Sequence, residues 1–97
     1  MQYSYEITPR PLALGGGWRL RLLEDSMEVG GGAFPSEPAD PYQGVAWWNA
    51  LTEKERGQWL EKADSARPAD AYHAFLLAEA YADAEAEAYA WLGSREK

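Results

Sequence analysis

The chain contains no cysteine, so disulfides, thiolate nucleophiles and cysteine-ligated metal sites are all excluded. Histidine is nearly absent too, with His73 the single example. No G-x-S-x-G, P-loop or G-x-G-x-x-G pattern precedes a helix, and Gly15–Gly17 and Gly30–Gly32 lack the Lys and Ser/Thr of a phosphate loop. No apolar run approaches the ~20 residues that span a bilayer, and Met1–Arg10 does not read as a signal peptide, so a cytoplasmic protein is expected. Between Pro68 and Leu92 there is no Lys or Arg at all.

What is present is aromatic and acidic. The 97 residues include five Trp, six Tyr and two Phe, enough core-formers for one domain, 1–97. Sixteen acids against nine bases give a net charge of −7. That balance opposes nucleic acid and anionic membranes and favours a basic protein partner.

The N-terminal third has a period of two. Tyr3, Tyr5 and Ile7 alternate with polar residues, and Trp18, Leu20 and Leu22 alternate with Arg19 and Arg21. Pro9 and Pro11 end the first strand, and Asp25–Ser26 is a short turn into a third strand at Met27–Val29 that resumes at Ala33–Phe34. The strands, all within 3–34, form an antiparallel meander that needs a helical cover. Arg19 and Arg21 are placed to neutralise Glu6 and Glu28 across it.

Pro35–Pro41 reads as a linker or a loop. Asp40 then caps a helix with Pro41 at its first position, running to Ala50, where Gly44 is a weak point. Thr52 and Glu55 form a capping-box pattern that opens a helix over 53–63. Pro68 starts the last helix and Gly93 suits its end, giving 68–92, roughly 37 Å at 1.5 Å per residue. The expected fold is α+β, a three-stranded antiparallel sheet packed against three helices, the last long and acidic.

Two stripes mark that last helix. Ala74, Leu77, Tyr81, Ala84, Ala88 and Trp91 form an apolar one, expected to cover the sheet within a monomer rather than to pair two chains. Glu79, Asp83 and Glu87 form an acidic one, with Asp70 and Glu85 beside it. Successive acids stand about 6 Å apart along the axis, comparable with neighbouring phosphates on an extended strand. Like charges at i,i+4 cost a few tenths of a kcal/mol per pair, so the row does nothing for folding. It is either a solvated polar face or a surface for a Lys/Arg-lined channel. Trp47 and Trp48 are adjacent and diverge on a helix, leaving one partly exposed. Trp47 is the candidate anchor beside the acids.

No catalytic residue, cofactor site or metal site is expected. His73 and Asp70 lie one helical turn apart and general acid–base work by them is conceivable, but a single His on a mixed helix face is more often surface or boundary. Carboxylates on one straight helix offer few ligands to one cation.

In general features the chain resembles the small acidic proteins of phages and mobile elements of proteobacteria. Among these it is most similar to anti-CRISPR proteins directed at type I effector complexes. The strands Tyr3–Ile7 and Trp18–Leu23, the segment TEKERGQWL at Thr52–Leu60 and the acidic Glu79–Glu87 helix carry the resemblance. It implies a stoichiometric inhibitor acting in a bacterial host cytoplasm, which blocks the DNA-binding surface of an effector subunit by placing carboxylates where phosphates would lie. Asp70, Glu79, Asp83, Glu85, Glu87 and Trp47 would then face the partner. The alternative is an antitoxin-like or regulatory protein that neutralises a basic partner.

Overall fold

The alternating N-terminal segments form three strands, β1 (Tyr3–Pro9), β2 (Trp18–Glu24) and β3 (Met27–Phe34), in a computed structural model that describes residues 1–36 and 40–95. They pair antiparallel in the order β1-β2-β3. Three helices follow, α1 (Pro41–Ala50), α2 (Glu53–Ala63) and α3 (Pro68–Arg95), so the protein is α+β. Part of the expected Pro35–Pro41 linker or loop, residues 37–39, lies outside the described residues. No helix among the described residues is long and apolar enough to cross a membrane. The chain divides into two compact units, Met1–Ser36 with Glu79–Lys97, and Glu37–Ala78.

In the first unit, register puts Tyr5 opposite Leu22 and Ile7 opposite Leu20, so the apolar residues of β1 and β2 share one face. Leu20, Leu22, Ala84 and Ala88 make the core, with Tyr5, Ile7, Phe34 and Trp91 packed around it. Ala84 and Ala88 are fully buried. Edge-to-face ring pairs flank them: Trp18–Tyr81 at 5.0 Å, Tyr5–Tyr89 at 5.7 Å and Tyr3–Trp91 at 5.7 Å. Of the expected apolar stripe, Tyr81, Ala84, Ala88 and Trp91 cover the sheet, while Ala74 and Leu77 belong to the other unit.

Three local features explain the strand connections. Asp25 and Ser26, with φ of 49° and 70°, form a two-residue hairpin loop of the type I′ kind. β3 runs unbroken through Gly30–Gly32, where an interruption was expected. The reason is Gly31: at φ 145° it lies so close to β2 that a Cβ would meet the Leu20 carbonyl oxygen at 2.1 Å. Val29 is the extra residue of a bulge opposite Leu22–Leu23. Between β1 and β2, a short 3-10 turn at Leu12–Leu14 is tied down by the Arg10 guanidinium, which donates to the Leu14 and Gly16 carbonyls at 2.7 and 3.1 Å.

The second unit is built on helix caps and rings. Asp40 Oδ1 accepts from the Tyr42 N–H at 2.9 Å to start α1, and Arg56 Nε donates to the Trp48 carbonyl at 3.1 Å near its end. The Thr52–Glu55 capping box forms in both directions, at 2.9 and 3.2 Å. Hydrogen bonding from Thr52, its backbone N–H first and then its side chain, holds the Glu55 carboxyl below its usual range. Asp64 in a left-handed conformation closes α2. Gly44 is a point of close approach as well as a weak point: a Cβ there would lie 3.0 Å from the Tyr72 ring.

α3 continues past Gly93 to Arg95, three residues beyond the expected Leu92. Gly93 does not take the positive φ of a helix stop. The Ser94 hydroxyl donates to the Trp91 carbonyl at 2.7 Å and Arg95 lies 5.6 Å over the Trp91 ring, both favouring one more turn.

Candidate functional site

α3 positions the acidic residues because its alanine-rich sequence forms an uninterrupted helix, fixing each carboxylate by its place in the turn. Glu79, Asp83 and Glu87 are all exposed and follow one another at successive turns. Among the described residues none of the three has an ion-pair partner. In the same unit the cations of the sheet are already engaged. Arg21 bridges Glu6 at 2.7 Å and Glu28 at 2.9 Å, and Arg19 reaches Glu28 at 3.0 Å. The expected charge cancellation across the sheet is therefore present, and it leaves the helix acids unopposed. Contact with Glu28 and the charge of Glu6 raise the Arg21 guanidinium further above its usual value.

Glu85 differs from its neighbours. It is half-buried, and its charge bears on the sheet-facing Tyr5 phenol. That phenol donates to the Tyr89 hydroxyl at 3.2 Å. The hydrogen bond first, then burial and the neighbouring charges of Tyr89 and Glu85, push its pKa up to about 12.

Asp70 and Trp47 belong to the other unit, apart from the acids of Glu79–Glu87. The Asp70 carboxylate is held locally, accepting from the Ser65 hydroxyl at 2.7 Å and pairing with Arg67 at 3.4 Å. Among the described residues no hydrogen bond links it to His73. Trp47 and Trp48 are both half-buried, partly exposed as expected of one of them. The Trp47 ring meets Phe75 at 5.0 Å, Tyr72 at 5.4 Å, Trp59 at 5.9 Å and Trp48 at 6.3 Å. It is the centre of an aromatic cluster that holds the unit together.

Sequence reasoning missed an apolar groove of about 410 Å³ in this unit, lined by Pro41, Val45, Trp48, Pro68 and Tyr72 with Asp40 at its end. The available signal was a proline at the first position of two helices, each beside an aromatic one or more turns on. Among the described residues no group of three or more His, Asp or Glu side chains could hold a metal ion. No known protein family, curated protein or solved structure matches this chain.

Proposed function

We propose that the protein is a binding inhibitor that offers the acidic face of α3 to a basic, nucleic-acid-binding surface of another protein. The observation that carries this reading is the row Glu79–Asp83–Glu87, exposed and without an ion-pair partner among the described residues, while the strand arginines Arg19 and Arg21 are engaged by Glu6 and Glu28. Three carboxylates at successive turns stand about 6 Å apart, a spacing that suits cationic side chains aligned for phosphates. The partner class is the DNA-binding surface of a type I CRISPR effector, as the resemblance to anti-CRISPR proteins implies. Glu85 flanks the row. Asp70, held by Ser65 and Arg67, and Trp47, within its own cluster, belong to the other unit.

The reading involves no chemical step, only occupancy. Purified protein is passed over immobilised type I effector at low and high salt, and DNA binding by the effector is measured alongside. Salt-sensitive capture that blocks DNA, lost in a Glu79→Lys/Asp83→Lys variant, supports the mechanism. Undiminished capture by that variant overturns the acidic-face mechanism, and failure to capture any effector removes the CRISPR assignment.

A further inference from the structure

Sheet edges are templates for further strands unless charge, proline or a covering element blunts them. The outer edge of β1 is blunted by Pro9, with Pro11 just beyond. The edge at β3 is not. Every residue from Met27 to Ala33 is exposed, none is Lys or Pro, and Glu28 is already held by Arg19 and Arg21. Among the described residues no backbone hydrogen bond reaches β3 from outside the sheet.

We propose that a second copy of this chain pairs with it, the two β3 strands running antiparallel across a two-fold axis at Gly32 to give a six-stranded sheet. This departs from the monomer expected from the apolar stripe alone. The bulge at Val29 ends the regular edge, leaving Gly30–Phe34 for pairing. An axis at Gly32 sets each Phe34 opposite a Gly30, so an aromatic ring covers bare backbone on both sides. An axis at Gly31 would instead oppose Phe34 with Glu28 across the bulge. One at Ala33 would oppose Gly31 with Pro35, which has no N–H to donate.

Charge permits the pairing. Tyr3–Phe34 holds four acids and three arginines, so most of the net charge of −7 lies elsewhere in the chain. A two-fold pairing also requires no surface beyond the one present. Five residues per strand bury less than the ~1,000 Å² of a stable interface, so the association is weak and concentration-dependent.

The absence of native cysteine makes the register directly testable. A Cβ at Gly32 would meet only Phe34 Cε2, at 3.8 Å, so Gly32→Cys fits the strand. Across the axis the two Cα atoms would stand about 4.5–5.5 Å apart, within disulfide range. Under mild oxidation Gly32→Cys is expected to cross-link at least roughly tenfold faster than Ala33→Cys or, on β1, Thr8→Cys. Equal rates at the three positions would overturn the pairing. In sedimentation, the wild-type mass should rise from 10.8 kDa towards twice that with concentration. Ala33→Lys should hold it at the monomer with an unchanged thermal melt. A wild-type mass that stays at the monomer value up to ~1 mM would also overturn the proposal.

Discussion

The Tyr5 hydroxyl donates to the Tyr89 hydroxyl at 3.2 Å, joining β1 to α3 across 84 residues of sequence. Because the bond uses the protonated phenol, Tyr5 loses its proton only at about 12. The folded value is raised above the unfolded one, so the stabilisation is full below the ordinary tyrosine range near 10. It is lost as pH rises through the folded value. Ultraviolet titration should show Tyr5 losing its proton late, and Tyr89→Phe should lower its pKa. A titration unaltered by Tyr89→Phe would refute the link.

Backbone conformation gives two opposite expectations in the same sheet. Ser26 sits at φ 70° in the hairpin loop, where glycine is preferred, so Ser26→Gly should raise stability by about 0.5–1 kcal/mol. Gly31→Ala should cost more than about 2 kcal/mol, since its Cβ would press on the Leu20 carbonyl. Urea denaturation of both variants checks the pair.

At the start of α2, Thr52→Ala removes one half of the capping box and should cost about 1 kcal/mol. Glu55 supplies the other half, and its carboxyl is held below its usual range, so its contribution is present above the ordinary glutamate value. It disappears as pH falls through the depressed folded value. The stability gap between wild type and Glu55→Gln should therefore close on acidification.

Trp47→Ala should destabilise the chain by about 3 kcal/mol, because it empties the middle of a cluster that also holds Trp59, Tyr72 and Phe75. Near-ultraviolet circular dichroism should lose much of its aromatic signal. A variant that melts like wild type would return Trp47 to the surface role expected from sequence.

Asp83→Lys tests the acidic row from the side of stability. It converts two repulsive i,i+4 pairs, with Glu79 and with Glu87, into attractive ones. The thermal midpoint should rise, corresponding to about 0.5–1 kcal/mol at low salt, with the gain fading as salt is added. On the proposed function the same variant binds its partner less well. Gain of stability with loss of binding is what a row kept for docking predicts.

Much of this architecture was legible because it rests on short-range rules. Alternation in Tyr3–Ile7 and Trp18–Leu22 defines the shared face, and the caps at Asp40 and Thr52 mark two helix starts. Where side chains vanish, so did the signal. Gly30–Gly32 read as a break because glycine has no period, although close packing against Leu20 requires it there. Gly93 read as a stop because glycine permits positive φ, yet the helix passes through it. The role of Trp47 depends on rings from α2 and α3 that spacing along α1 cannot reveal. Likewise the passage between the two units falls inside α3 at Ala78–Glu79, where composition does not change. The acidic row itself was fully legible, and what the structure adds is that its near neighbours do not neutralise it.

Arg21, held between Glu6 and Glu28, has a consequence for encounter as well as for the sheet. One flank of that unit is electrically quiet while the helix flank keeps its full negative charge. On the proposed function, that asymmetry would turn a cationic partner towards the helix flank before contact. Collisions would begin helix-first, and the productive orientation would be selected at a distance of about one Debye length rather than by trial after contact.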